Sequence, residues 1–248
     1  MDQRLFSKAK QLLSFGYFID IQEHESFSFL KSIFKSPSYN FIVPKKLSNE
    51  LDLTRVQELL ETQETLGYKF SFYIPDDLVN AYKDFLNSFG YSFKYTDVYV
   101  SKQLDQKFNL DKSLKYEFVT ESNLNEYLSL VDLCFPDYNN NKEYCEFCLT
   151  LSRRNVNANL LLYKNGTLAG SASSMFSKDV GLAYMHNDCV HPNSRRQGLH
   201  HELIKKRIND SIDLGIFEFY ANVEENSASY NSYLKLGFQV ALKMNVFN

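Results

Sequence analysis

From residue 114 onward the hydrophobic period of the sequence switches repeatedly, in an order that few folds accommodate. "LKYEFV" (114–119) alternates as a strand does, and "ESNLNEYLSLVDLCF" then places apolar residues at helical spacing. "NKEYCEFCLTLSRR" predicts a second helix. "NANLLLYKNGTLAGSASSMF" reads as two strands joined at Asn165-Gly166, a favoured hairpin dipeptide. "GLAYMHNDCV" is a further strand. After Gln197, the residues Leu199, Leu203, Ile204, Ile208 and Ile212 mark one helix face, and Gly215 is a stop signal. "IFEFYANV" predicts a strand, "SASYNSYLKL" a helix and "FQVALKMNVF" a last strand. The order β-α-α-β-β-β-α-β-α-β defines an α/β protein with a mixed, mostly antiparallel sheet flanked by helices.

The first half is less regular but carries a faint internal repeat. A shift of 147 lays "FSFYIPDDLVNAYKDFLNSFGY" (70–91) without gaps on "FEFYANVEENSASYNSYLKLGF" (217–238). Phe70, Phe72, Tyr73, Ala81 and Gly90 fall on Phe217, Phe219, Tyr220, Ala228 and Gly237. A length of 248 residues allows two small cores. The expected division is therefore two tandem copies, 1–104 and 114–248, joined by the polar linker "DQKFNLDKS" (105–113).

Charge and composition narrow the function classes. With 27 basic and 30 acidic residues the formal net charge is −3, which argues against a general nucleic-acid binder. No run of 18 apolar residues occurs, and the first segment is too interrupted by charge for a signal peptide, so a cytoplasmic protein without a membrane partner is expected. The four cysteines are expected as free thiols. Cys145 and Cys148 form a lone C-x-x-C without a second ligand pair, so core packing is expected and no metal.

The chemistry concentrates at "VHPNSRRQGLHHELIKKR" (190–207). A strand ends there, Pro192 and Asn193 turn the chain, and Gln197, Gly198 and Leu199 open a helix. The first amides of a helix lack internal partners and carry the positive end of its dipole. A glycine among them lets a phosphate approach the backbone, with Arg195 and Arg196 adding charge alongside. Neither the Walker nor the dinucleotide glycine pattern is present.

Downstream, "NVEENSASYNSYLKLGF" sets Asn226 seven residues before Tyr233, with Lys235, Gly237 and Phe238 following. Together with Arg195-x-x-Gly198 this resembles the GNAT superfamily of acyl-CoA-dependent N-acyltransferases. The family pairs [QR]-x-x-G-x-[GA] after the fourth strand with N-x(6)-Y-x-K-x-G-F after the fifth. The resemblance covers residues 114–247 in element order and is sharpest over 190–238. One position departs: His200 stands where the family usually has Gly or Ala; a larger side chain there could crowd the pyrophosphate or donate to a phosphate, but in a first helical turn it is expected to point outward. His201 is expected at the surface.

The resemblance implies acetyl-CoA as cosubstrate, in a cleft where the fourth and fifth strands part. Backbone groups of Cys189 and Val190 would pair with its pantetheine arm, and the amides of Arg195, Arg196, Gln197, Gly198, Leu199 and His200 would hold its pyrophosphate. Asn226 would bond the pantetheine or, as an equally good reading, cap the helix that follows. Tyr233 is the implied acid for the departing thiolate, against the alternative of a core tyrosine. The implied base is His186 or Tyr184 on the fourth strand, or a water. Strict alternation puts Tyr184, His186 and Asp188 on one face, with Asp188 available to orient His186 or bind an amine cation. Cys189 is expected to be a strand residue and not a nucleophile. In the first half, Lys45 and Lys46 lack an accompanying glycine, so a degenerate copy that binds no CoA and walls the acceptor groove is expected. The expected activity is N-acetyl transfer to a primary amine of a small molecule or peptide. The rivals are an acyl-CoA sensor without turnover and a transferase for longer acyl donors.

Overall fold

The computed structural model describes residues 3–14, 18–45, 53–136, 150 and 157–248. The helix expected at 141–154, with its C-x-x-C, lies outside these residues apart from Thr150. The chain divides into two compact units, one of Met1–Tyr99 with Val240–Asn248 and one of Val100–Gln239.

In the second unit β6 (Leu114–Phe118) leads to α4 (Leu124–Cys134), β7 (Asn157–Lys164), β8 (Thr167–Ser177) and β9 (Leu182–Val190). Then come α5 (Leu199–Asp213), β10 (Glu218–Glu224) and α6 (Ala228–Lys235). The strands lie in the order β10-β9-β8-β7-β6. All neighbours are antiparallel except β9 and β10, which are parallel because α5 returns the chain between them. The β7–β8 turn uses Asn165 at φ 52° and Gly166 at φ 76°, the two left-handed residues a tight hairpin needs. Leu199 and Leu203 seat α5 on Leu160, Leu162, Ala169 and Ala172 of the sheet.

The first unit contains α1 (Gln3–Ser14), β1 (Phe18–Glu23), β2 (Phe27–Ser32), β3 (Phe41–Pro44) and α2 (Leu53–Thr65). It continues with β4 (Ser71–Pro75), α3 (Val79–Ser88) and most of β5 (Phe93–Gln103). Here too antiparallel pairs lead to one parallel pair, β3 with β4, across a helix. The last strand, β11 (Gln239–Phe247), pairs antiparallel with β4 of this unit, Val246 opposite Tyr73. Leu242, Met244 and Val246 bury there against Leu30, Val43 and Tyr73. Residues 240–248, read from sequence as part of 114–248, group with the first unit, and the division falls between Tyr99 and Val100, not at 105–113.

The shift of 147 is visible in hydrogen bonds. Amides of Phe89, Gly90 and Tyr91 bond the carbonyls of Leu86, Asn87 and Leu86, and those of Leu236, Gly237 and Phe238 bond Tyr233, Leu234 and Tyr233. Gly90 at φ 79° and Gly237 at φ 81° end the two helices identically. Among the described residues no helix is long and apolar enough to cross a membrane.

Candidate active site

A short 3-10 turn, Pro192–Ser194, follows β9 and consumes the amide of Arg195, which bonds the Pro192 carbonyl at 3.4 Å. Arg196 and Gly198 then adopt left-handed φ of 63° and 76° before α5 begins, anchored by buried Leu199. Among the described residues the amides of Arg196, Gln197, Gly198, Leu199 and His200 have no acceptor. A Cβ at Gly198 would meet nothing within 4 Å. These amides lie at a helix start, with open space beside Gly198, and a helix start is a place where an anion can be held. Of the amides named from the sequence, that of Arg195 is bonded to the Pro192 carbonyl.

Beside this loop the sheet opens. The parallel pairing of β9 with β10 runs through Phe219 with Ala183 and Tyr220 with Tyr184. β9 goes on to Val190 and β10 to Glu224, beyond that register.

β9 also carries a bulge that sequence alternation does not foresee. Ser171 pairs with Cys189 and Ser173 with His186, so Asn187 and Asp188 oppose Ala172 alone. Asn187, at φ 53°, is the residue that makes the extra step. The expected row of Tyr184, His186 and Asp188 is therefore broken. Tyr184 and His186 stack on each other at 4.9 Å, while Asp188 turns to side chains of α5 and α6.

There Asp188 is the centre of a buried network. Its Oδ1 lies 2.6 Å from Arg207 Nη1, and its Oδ2 accepts from Tyr233 Oη at 2.8 Å and pairs with His200 Nε2 at 2.9 Å. The guanidinium, only 3% exposed, also donates to the carbonyls of Leu203, Ser173 and His186 and, at 3.3 Å, to Tyr233 Oη. Two of those carbonyls flank the bulge, so Arg207 supports the residues around it. Burial opposes ionisation of Asp188, but Arg207 and His200 outweigh it and hold the carboxyl well below its usual range. Burial and Asp188 together push the Tyr233 hydroxyl well up. Asp188 does not orient His186, and His200 points inward, against the expectation that it faces outward. Arg207 was legible only as a charge on the apolar row of Leu199 and Leu203.

His186 Nε2 faces Asn157 Oδ1 at 3.2 Å, and Tyr184 donates to Asn222 Oδ1 at 2.5 Å while stacking on Tyr220. Burial, aided by Arg207, pulls His186 down to about 3. The ring stays neutral at physiological pH and is a weak base, unlike the unperturbed imidazole expected from sequence. The shift is also a stability statement. Between pH 6.5 and about 3 the unfolded chain binds a proton at this residue that the folded chain refuses, so stability falls as pH falls through that window. Asp188, also held low in the folded state, adds to that loss only toward the acid end of the window, so above about pH 5 the slope belongs to His186. Between pH 7 and 5, urea unfolding should register a loss on the order of 1–2 kcal/mol that His186→Gln removes. Equal losses in both proteins would contradict the assignment.

The remaining residues fall as follows. The carbonyl of Val190 accepts from Arg195 Nε at 3.3 Å and from the Cys134 thiol at 3.6 Å, so a pantetheine arm claiming it must displace them. Cys189 is buried, and its thiol is pushed up by its hydrogen bond to Cys134 and by burial, which suits a strand residue. Gln197 accepts from Lys164 at 2.7 Å. Asn226 is exposed at φ 63° and is not the cap: Ser227 Oγ accepts from the Tyr230 amide at 3.0 Å in that role. Among the described residues no three His, Cys, Asp or Glu side chains gather as metal ligands.

A helix start with open amides, beside strands that part after a parallel pairing, defines the acyl-CoA N-acyltransferase class of fold. Residues 124–238 match the model of the Acetyltransferase (GNAT) family. This match spans just under half of the chain, and that segment is similar to the GNAT family. A GCN5-related N-acetyltransferase from Kribbella flavida superposes with a TM-score of 0.70 at 12% identity, over 98% of this chain and 93% of its own. One from Sphaerobacter thermophilus gives 0.67 at 12%, over 90% and 76%. A tandem GNAT protein from the clavulanic acid biosynthesis pathway gives 0.57 at 10%, over 89% and 77%. No curated protein matches the chain.

Proposed function

We propose that the second unit transfers an acetyl group from acetyl-CoA to a primary amine by direct attack. The observation that carries this reading is the set of acceptor-free amides from Arg196 to His200 around a left-handed glycine with open space at its Cα. A diphosphate fits that set, and the parted ends of β9 and β10 leave main-chain groups for an extended pantetheine. In the first unit the corresponding strand-to-helix loop, 46–52, which includes Lys46, lies outside the described residues. Lys45 is held by Glu23 at 2.6 Å and by the His24 carbonyl at 2.6 Å, which supports a decayed copy without cofactor.

In the reaction the amine nitrogen bonds to the thioester carbon, and the tetrahedral oxyanion collapses by breaking the carbon–sulfur bond. The departing thiolate takes a proton, and Tyr233 is the donor we assign. Its hydroxyl is fully buried and given to Asp188, so it must turn from the carboxylate to the sulfur; Arg207 Nη2, 3.3 Å away, then stabilises the phenolate left behind. With His186 protonated only near pH 3, a water is the better first acceptor of the amine's proton. Tyr233→Phe should lower kcat by about 100-fold with the KM for acetyl-CoA nearly unchanged. Unchanged turnover would remove the acid role.

The burial of Tyr233 also favours a second reading, a sensor that binds acyl-CoA without turnover. Release of free thiol from acetyl-CoA across a panel of polyamines, amino sugars, amino acids and peptides separates the two: steady release supports the enzyme, and binding without release supports the sensor. Varying acyl length on the best amine tests the longer-donor alternative.

A further inference from the structure

His200 occupies a position where the resemblance calls for glycine or alanine, and its side chain is neither outward nor idle. Its Nε2 lies 2.9 Å from Asp188 Oδ2, the same oxygen that accepts from Tyr233 at 2.8 Å, and its ring meets the Tyr233 ring edge-on at 5.9 Å. Two donors converge on one carboxylate oxygen. One comes from the first turn of α5, beside the open amides, and the other from α6. Arg207 holds the other oxygen, Oδ1, and the imidazole adds a second hold on Oδ2, the oxygen that receives the phenol, while packing the phenol from the side.

We propose that His200 is a positioning residue, holding Tyr233 through Asp188 and so tying the helix start that receives the phosphates to the tyrosine that serves the sulfur. This rests on the acyl-transfer reading above. His200 touches no reacting atom; it sets where the hydroxyl of Tyr233 rests and the direction from which it turns.

The decisive variant is His200→Ala, which restores a residue usual in the family. A side chain merely tolerated at this position predicts no loss of turnover from it, and one that only fills space predicts a loss of stability that the Gln variant does not separate from turnover. Positioning predicts that kcat falls about 10- to 100-fold while the KM for acetyl-CoA changes by less than about threefold. His200→Gln places an amide N–H at similar reach on a good helix former and should recover activity to within about threefold of the parent. In a Tyr233→Phe background His200→Ala should cost nothing further, because its effect passes through the phenol. Additive losses, or equal losses in the Ala and Gln variants, would overturn the proposal. An activity-free readout guards against failure of the acyl-transfer reading itself. In the unliganded, 15N-labelled protein the imidazole N–H of His200 should exchange slowly and shift in Tyr233→Phe. Should no amine be acetylated while that proton is protected and shifts, the network stands and the reaction assignment falls. A rapidly exchanging proton, indifferent to Tyr233, would sink the network.

Discussion

Gly198→Trp should abolish measurable CoA binding, a loss of at least 100-fold, while the protein remains folded. The two halves of that expectation have separate causes. A side chain at φ 76° carries left-handed strain of about 1–2 kcal/mol, which a folded domain absorbs. No atom lies within 4 Å of the new Cβ, so no neighbour has to move. The indole would instead fill the space in front of the open amides, where the diphosphate is proposed to sit. A loss of 100-fold corresponds to about 2.7 kcal/mol, well within what several charge-assisted amide bonds supply. Gly198→Ala carries the same strain with one carbon and should bind about tenfold more weakly. Calorimetric titration with CoA, beside thermal melts, checks both; retained affinity in the Trp variant would refute the phosphate cradle.

Arg207→Met should be the most destabilising single change in the second unit, costing about 3–5 kcal/mol in chemical denaturation. The guanidinium is the main compensation for a carboxylate in the interior and also occupies the carbonyls of Ser173 and His186. Removing it leaves Asp188 with only His200 and Tyr233, and leaves backbone acceptors at the bulge dry. Adding Asp188→Asn to the same chain should recover part of the loss, since no buried charge then remains. A cost under about 1 kcal/mol would mean that the pair is solvated and that the network exerts little hold on Tyr233.

The elements of the second unit were legible because its periods are clean: β7, β8 and the Asn165-Gly166 turn between them, α5 with its Leu199 and Leu203 face, and α6 ending at Gly237. The helix start at Gly198 was legible for the same reason, through one glycine at a strand-to-helix junction. What escaped depended on a single backbone step. Asn187 takes a left-handed φ inside a strand, and a period of two cannot signal that; the side of the sheet given to Asp188 was therefore misjudged, and with it its partner. Arg207 and His200 look like solvated helix residues until that carboxylate turns toward them. β11 was read correctly as a strand, but strand patterning says nothing about which edge it joins, and its pairing with β4 emerges only from three dimensions. The shift of 147, by contrast, was faint in identities and plain in the matched hydrogen bonds that end α3 and α6.

A crystal structure with acetyl-CoA bound tests the central claim most directly. The account predicts the diphosphate on the amides of residues 196–200 and the thioester between β9 and β10, with Tyr233 turned from Asp188 toward the sulfur. Coenzyme seated elsewhere on the chain, with that turn empty and Tyr233 still on Asp188, would contradict it.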